Sequence, residues 1–145
     1  NNEVDGKDYY FISTEKFYEH QFNEKLLEHN IYNHEHYGTL LSEINRYPTD
    51  KPLALVIDVS GRRSVLIHFP LSTTIFIQSP STDELRKRIE ERGENSEDEI
   101  LERIETATKE MEEKIYYDYV VMNEDVKNCA DEIFESIKEM LNEEK

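Results

Sequence analysis

The sequence predicts an α/β protein built on a parallel β-sheet. Three short apolar runs, at residues 53–57, 75–77 and 119–122, are continuous rather than alternating, as in strands that are buried on both faces. Helical patterns lie between the second and third runs and again after the third. Buried strands that alternate with helices indicate βαβ units, and sites in such sheets form at the carboxyl ends of the strands.

Shorter elements are predicted before the first of these runs. Residues 9–12 are typical of a short strand, and Ser13 or Thr14 is placed to cap a helix that continues to about Leu27. The core-facing positions of this helix are Phe17, Phe22 and Leu26.

The next segment is less regular. Residues 28–37 mix His, Asn, Tyr and Glu and predict extended or looped structure. Thr39 is placed to cap a short helix that ends at about Arg46, and a connection bracketed by Pro48 and Pro52 follows.

The second half of the chain predicts three amphipathic helices, over about 82–92, 96–114 and 124–142. The last helix has the clearest apolar stripe, formed by Val126, Cys129, Ala130, Ile133, Phe134, Ile137 and Leu141. Because Cys129 lies on this stripe, it is expected to be a core thiol rather than a nucleophile.

Composition argues against several classes of protein. The chain has 145 residues, enough for one domain with a real core, and a formal charge of −16. This acidic excess disfavours nucleic acid and anionic membranes as partners, because both need a positive surface. No apolar run reaches the roughly 20 residues that span a bilayer. With a single Cys and no recognisable targeting signal, the sequence predicts a cytoplasmic protein.

The negative charge is uneven, with a net −5 over residues 1–83 and −11 over residues 84–145. The arginines that stand out in the acidic half are Arg86, Arg88, Arg92 and Arg103. One interpretation is ion pairing along solvated helices. The other is a phosphate clamp, because the planar guanidinium group binds phosphate oxygens in pairs.

Two polar side chains come directly after predicted strands. Asp58 follows the 53–57 run and Asn123 follows the 119–122 run, at the edge where α/β sheets bind ligands. Each also precedes a predicted helix and is a favourable N-cap residue. A capping role and a ligand-binding role therefore both remain open for each.

Six segments together resemble the guanylate kinase family, in the family's order and at near-family spacing. They span essentially the whole chain, so their register is more specific than any one motif. The segments are EVDGKDYYFI at 3–12, LE at 27–28 with YGT at 37–39, IDVSG at 57–61, IFIQSPS at 75–81, LRKRIEERG at 85–93 with a further Arg at 103, and YDYVVMNED at 117–125.

The resemblance implies a fold of the P-loop nucleoside monophosphate kinase type. Its parallel sheet would here lack the P-loop strand. It implies a GMP-binding subdomain over residues 1–47, inserted into a core whose C-terminal part is residues 48–145. Within that core, residues from about 93 to 114 would form a helical lid that excludes water when it closes.

The resemblance also implies a GMP site. The guanine edge presents N1–H and N2–H₂ donors, and the family places an accepting carboxylate at the position of Glu28, supported by the hydroxyl at Thr39. Tyr9 and Tyr37 would hydrogen-bond the GMP phosphate, and Glu3 would belong to the same site. Without the resemblance, Glu28 would be interpreted as a solvated carboxylate and the tyrosines as core or strand aromatics.

On the ATP side, the resemblance implies that Arg88, Arg92 and Arg103 neutralise phosphate oxygens during transfer. Asp58 would help to hold the nucleotide and its Mg²⁺. Asn123 would line the adenine side of the ATP site, to which Arg88 and Arg92 also belong. The implied partners are GMP and ATP, and the implied cofactor is Mg²⁺ bound with ATP. A homodimer is left open.

A metal site formed by the protein itself is not predicted. His29, His34 and His36 lie close to Glu35 in the sequence, but their spacing matches no zinc motif and no Cys is near. Surface histidines on a polar segment are the expectation.

The chain also departs from the family pattern at several positions, which affects the expected fine geometry of the site. The departures are Val56 in place of Asp, His36 in place of Tyr, Ser60 in place of Gln, Arg62 and Arg63 in place of small or apolar residues, and Glu94 in place of Thr.

The phosphate-binding pattern G-x-x-x-x-G-K-[ST] occurs nowhere in the 145 residues. In the family this loop and a central strand of the sheet lie upstream of the position of Asn1. A sheet without its middle strand should expose apolar surface. The first hypothesis is a guanylate kinase whose full-length form converts ATP and GMP to ADP and GDP, while this chain alone is inactive. The alternative is a non-catalytic domain of the same fold that binds a nucleotide or a protein.

Overall fold

The computed structural model describes residues 3–32, 35–48, 50–91 and 96–143. Backbone contacts divide the chain into two units, Asn1–Ser72 and Thr73–Lys145. The N-terminal unit contains α1 (Thr14–Phe22), β1 (Leu26–Tyr32), β2 (Glu35–Leu40), α2 (Leu41–Arg46) and α3 (Val59–His68). The C-terminal unit contains β3 (Ile75–Gln78), α4 (Thr82–Glu91), α5 (Glu97–Glu112), a 3₁₀ turn (Glu113–Tyr116), β4 (Tyr119–Met122) and α6 (Val126–Glu143).

In the N-terminal unit, β1 and β2 form an antiparallel hairpin with a bulge between Leu26 and Glu28. Helix α3 packs against β1. Among the described residues of this unit, the buried side chains are Phe17, Leu27, Glu28 and Val65. A carboxylate among so few buried groups is unusual, since burying a charge is costly unless it is hydrogen-bonded.

In the C-terminal unit, β3 and β4 pair in parallel, with Ile75 opposite Tyr119 and Gln78 opposite Met122. Helices α4 and α5 pack together in the connection between these strands, and α6 packs against β4. The predicted parallel α/β arrangement is confirmed here, with β3 and β4 at the second and third apolar runs.

The three C-terminal helices are also confirmed, with small differences at their ends. Ser96 caps α5 in a reciprocal capping box with Glu99, as a Ser followed three residues later by Glu favours. Cys129 is buried, as predicted, but the α6 stripe is only partly covered, since Val126 is 77% and Phe134 57% exposed. No helix in the described ranges is long and apolar enough to cross a bilayer.

The predicted strand at residues 53–57 is wrong for the part of the chain that the structure describes. These residues take part in no strand ladder, and Val56 is fully exposed. A continuous apolar run becomes a strand only when a neighbouring strand pairs with its backbone hydrogen-bonding groups. That neighbouring strand can be far away in the sequence, so the run itself does not determine whether pairing occurs.

The predicted strand at residues 9–12 is also wrong. The segment makes a single bridge, between Asp5 and Tyr9, and the Phe11 N–H donates to Oδ1 of Asp5 at 2.8 Å. Gly6, with a φ of 73°, turns the chain just before it. Local hydrogen bonds therefore satisfy backbone groups that a sheet would otherwise pair.

Helix α1 begins after Ser13, as predicted, but ends at Phe22 instead of Leu27. Glu24 has a φ of 53°, in the left-handed region, which ends the helix and turns the chain into β1. As a result Phe17 is buried as expected, while Phe22 is 88% exposed and Leu26 begins a strand.

Thr39 does not cap α2, which is a correction to its predicted role. It lies in β2, and the N-cap position of α2 is occupied by Leu40 without a side-chain cap. The predicted end of this helix at Arg46 is confirmed. The Thr39 hydroxyl is thereby free of a capping role and bonds elsewhere.

Candidate functional site

A buried carboxylate lies at the centre of the N-terminal unit. Glu28 is 8% exposed, and its Oε1 accepts a hydrogen bond of 2.5 Å from Oγ1 of Thr39. The two residues are directly opposite in the β1–β2 register, which aligns their side chains. The structure therefore brings together the two residues that the resemblance assigns to guanine recognition.

Two glycines lie close to Glu28, one against its backbone and one against its carboxylate. A Cβ at Gly38 would lie 2.9 Å from the carbonyl oxygen of Glu28, so any side chain there would collide with the backbone of β1. A Cβ at Gly61 would lie 3.2 Å from Oε2 of Glu28. Oε2 therefore lies against the first turn of α3, where only a residue without a side chain leaves it this much space.

Asp58 is the N-cap of α3, so the capping role considered for it is confirmed. Its Oδ1 accepts from the Gly61 N–H at 2.7 Å. Its Oδ2 accepts a second, short hydrogen bond from Nδ2 of Asn30 in β1. Capping places the carboxylate near the positive end of the helix, where a negative charge is favourable.

Together these residues form what we call the carboxylate cluster, whose members are Glu28, Asn30, Thr39, Asp58 and Gly61. Within the described ranges, Thr39 is the hydrogen-bond donor to Glu28. A carboxylate can accept about four hydrogen bonds. Acceptor capacity therefore remains at Glu28 for a ligand that presents N–H donors along one edge.

The two predicted phosphate-binding tyrosines are also close together. The rings of Tyr9 and Tyr37 contact each other edge to face, with centroids 5.6 Å apart. Tyr9 is 48% and Tyr37 36% exposed, so neither is a core aromatic. Glu3 is exposed and makes no hydrogen bond with the carboxylate cluster among the residues the structure describes.

A separate cavity of about 270 Å³ lies within the C-terminal unit, between β3, α4 and α5. Its lining includes Phe76, Gln78, Leu85, Arg88, Met111 and Asn123. Polar groups from two strand ends therefore face an apolar space, as expected at the carboxyl edge of an α/β sheet.

Asn123 lines this cavity but does not cap α6, so its predicted capping role is wrong. Asp125 takes that place, since its Oδ1 accepts from the Asn128 N–H at 3.0 Å. The backbone N–H of Asn123 bonds to Gln78, while its Oδ1 is buried without a hydrogen-bond partner in the described ranges. A buried acceptor of this kind is costly unless a ligand or water supplies a donor.

The arginines fall into different environments. Arg88 donates from Nε to Glu84 at 2.8 Å and from Nη2 to the Glu124 carbonyl at 3.2 Å, and it lines the cavity. Arg103 is half-buried on α5, and Arg92 lies outside the described residues.

Arg86 supports the ion-pairing interpretation. It bridges to Glu97 at 2.8 Å and to Glu90 at 3.4 Å, and thus links α4 with the start of α5. The hydrogen bond to Glu97, with that to Glu90, raises the pKa of Arg86 above its ordinary value.

The site residues that the sequence does not predict include Asn30, Gly61 and Gln78, the last of which accepts from Nζ of Lys114 at 3.0 Å. Asn30 could have been found from the two-residue period of a strand, because it lies on the same face of β1 as Glu28. The mixed composition of residues 28–37 hides this relationship, because it is equally compatible with extended and looped structure.

The histidine segment contributes to packing instead. His36 bonds to the Tyr18 hydroxyl at 3.3 Å and His29 to Gln21 at 3.1 Å, while His34 lies outside the described residues. In the part of the chain that the structure describes, no three His, Cys, Asp or Glu side chains converge as a metal site.

Comparison with known proteins gives a consistent result. A family model described as guanylate kinase matches residues 1–144. Guanylate kinases from Lactobacillus johnsonii and Lactobacillus acidophilus are 40% and 42% identical over 132 residues, covering 90% of this chain. The chain spans 65% of the length of each of these two relatives.

A solved structure is also similar. The crystal structure of guanylate kinase from Anaplasma phagocytophilum matches with a TM-score of 0.74 and 31% identity. The match covers 96% of this chain and 68% of that one.

Proposed function

Since the chain belongs to the guanylate kinase family, we propose that the protein transfers the γ-phosphate of ATP to GMP and releases ADP and GDP. The observation that carries this proposal is the buried Glu28 carboxylate, oriented by Thr39 and facing the first turn of α3. These residues come from three different elements of the N-terminal unit.

Guanine and adenine differ along the edge that such a carboxylate would meet. Guanine presents the N1–H and N2–H₂ donors there, and an ionised carboxylate only accepts. Adenine has an unprotonated ring nitrogen at the equivalent position, which would face Glu28 as acceptor against acceptor. A site built for paired donors rejects a base that lacks them, because its buried acceptor is left unpaired.

The rest of the proposed GMP site follows the resemblance. The exposed hydroxyl-bearing rings of Tyr9 and Tyr37 support a role as neighbouring donors to the GMP phosphate. Glu3 belongs to this site by resemblance alone. We assign residues 1–47 to the GMP-binding subdomain and residues 48–145 to the core, with a lid over about 93–114.

For ATP, we propose that Arg88, Arg92 and Arg103 neutralise the phosphate oxygens and that Asn123 faces the adenine. The unpartnered Oδ1 of Asn123 supports this, because the exocyclic amine of adenine would supply its missing donor. Transfer then depends on positioning and charge neutralisation, without a covalent intermediate on the protein.

Mg²⁺ enters this proposal with ATP, as part of the substrate. Each oxygen of Asp58 accepts one hydrogen bond and retains a lone pair, so the carboxylate can also accept from water bound to the ion. When bound, Mg²⁺ offsets the charge of the phosphates. We place this activity in the cytoplasm, and a homodimer stays a prediction.

The proposal is tested by measuring nucleotide binding to the chain by calorimetry. GMP should bind more tightly than AMP, and Glu28→Gln should weaken GMP binding about tenfold or more, because an amide supplies one acceptor and two competing donors. Glu24→Gln, at an exposed turn residue, is the matched control. Unchanged GMP affinity in Glu28→Gln would show that the guanine assignment is wrong.

A further inference from the structure

The side-chain amide of Asn30 is held at both ends. Its Nδ2 donates to Oδ2 of Asp58, and its Oδ1 accepts from the Ile31 N–H at 2.7 Å. Because a carboxylate can only accept, the amide nitrogen must be the end that faces Asp58. The orientation of Asn30 is therefore determined by chemistry on both sides.

Through this bond, β1 is connected to the first turn of α3 at two places. Asn30 bonds to Asp58, whose other oxygen accepts from the Gly61 N–H. Two residues earlier on the same strand face, Oε2 of Glu28 lies against Gly61 itself. The surface that Glu28 faces is thus held in place by Asp58, which is in turn held by Asn30.

Removing the Asn30 amide would leave Oδ2 of Asp58 without the donor it has in the structure. Asp58 could then rotate while still capping through one oxygen, and the first turn of α3 would lose this side-chain hydrogen bond to β1. The spacing between Gly61 and Glu28 is close, since a single added carbon would lie 3.2 Å from Oε2. A small displacement of that turn would therefore change the space available beside the carboxylate.

We propose that Asn30 is a positioning residue for base recognition, acting through Asp58 and the first turn of α3 to hold the Glu28 carboxylate in register with its ligand. This inference rests on the proposed function, because it assigns Asn30 to the site where GMP is proposed to bind. Asn30 itself need not contact the nucleotide.

The test compares GMP binding by calorimetry for Asn30→Ala and Asn30→Asp with the same substitutions at Asn45, an exposed residue of α2. Asn30→Ala should weaken GMP binding more than twofold and up to about tenfold, where the upper limit corresponds to the full loss of one hydrogen bond to a charged group. Asn45→Ala and Asn45→Asp should stay within about twofold of the parent chain, as expected of surface positions.

Asn30→Asp provides a readout that a purely structural role would not give. Near pH 7.5 two carboxylates would face each other, and GMP should bind more weakly than to Asn30→Ala. Near pH 5 the pair can share a proton, because a neighbouring like charge raises the pKa of one member. The ratio of GMP affinity between Asn30→Asp and the parent chain, measured at the same pH, should then recover.

The outcomes separate the two proposals. If both Asn30 variants bind GMP within twofold of their Asn45 counterparts while Glu28→Gln is impaired, Asn30 has no positioning role and the proposed function stands. If the parent chain does not bind GMP, or Glu28→Gln binds it normally, both proposals are wrong. If circular dichroism shows that Asn30→Ala is unfolded, the pH response of Asn30→Asp decides.

Discussion

Glu28 and Thr39 show how a local pairing creates a chemically specific group. Their positions opposite each other in the hairpin place a hydroxyl donor on one oxygen of a buried carboxylate. A hydrogen bond to a charged group contributes about 1.5–3 kcal/mol, which offsets part of the cost of burial. The pair therefore stabilises the hairpin and orients the carboxylate.

Thr39→Val tests this pair, because it removes the hydroxyl while keeping the branched shape. We expect GMP affinity to fall about tenfold, since Oε1 of Glu28 would lose its donor and its orientation. Calorimetry with GMP measures the effect. Thr106→Val, at an exposed position of α5, is the control, and equal affinities in the two variants would contradict the orienting role.

The contacts of individual residues are where the predictions from the sequence and the observed structure differ most. The family pattern predicts that Glu28 and Thr39 act together, and the structure places them in contact. Asn30 has no such signal, because its bond to Asp58 joins residues 28 positions apart. Contacts of this kind depend on how β1 packs on α3, which the local sequence does not specify.

Among the helices, α5 is the one whose N-terminus is best explained by hydrogen bonds between neighbouring residues. Ser96 accepts from the Glu99 N–H, and the Glu99 carboxylate accepts from the Ser96 N–H at 2.6 Å. Further along, the hydrogen bond from Lys109 lowers the pKa of Glu105. That stabilisation is present above the unfolded-state pKa of Glu105 and is lost as the pH falls through the lower folded-state value.

Ser96→Ala should therefore destabilise the chain by about 1 kcal/mol, the usual cost of losing an N-cap side chain. Urea unfolding at pH 7 followed by circular dichroism measures this. Glu105→Gln is the control within the same helix, and it should cost less because its ion pair with Lys109 is exposed to solvent. A larger loss for Glu105→Gln than for Ser96→Ala would contradict the capping argument.

The helices also show why some elements were predicted well and others were not. Helices α4, α5 and α6 were found from a 3.6-residue apolar period, a property of the segment itself. Helix α1 was predicted five residues too long, because the left-handed turn at Glu24 interrupts a period that continues in the sequence. A backbone conformation at one residue is weakly encoded by its side chain.

For the whole molecule, most of the charge of −16 lies in the C-terminal half, where several basic side chains form ion pairs. Helices α4 and α5 carry ion pairs between residues on the same helix, and Arg86 joins the two helices through Glu97. Exposed pairs of this kind contribute little stability each, typically below about 1 kcal/mol. The arginine that also faces the cavity is Arg88, and it supports the phosphate-binding interpretation more directly.

The 145-residue chain by itself is expected not to turn over, because it contains no glycine-rich phosphate loop of the G-x-x-x-x-G-K-[ST] type. An assay that couples ADP release to a spectroscopic signal, with ATP, Mg²⁺ and GMP, should match the rate without protein. A bacterial guanylate kinase of the same family provides the positive control. Clear GMP-dependent turnover would overturn this expectation.

The sequence by itself determined the family, the two strands of the C-terminal unit and the three helices around them. These depend on motif order, apolar runs and helical periods, all of which lie within short segments. The pairing of Glu28 with Thr39 was also expected from the family pattern.

Only the tertiary structure decided whether the runs at 9–12 and 53–57 are strands, because a strand exists through its partner. It also decided that Asp58 caps α3 while bonding to Asn30, and that Asp125, rather than Asn123, caps α6. These contacts depend on which groups from distant parts of the chain come together in the fold. The local sequence allows several hydrogen-bond partners equally well, and tertiary packing selects one of them.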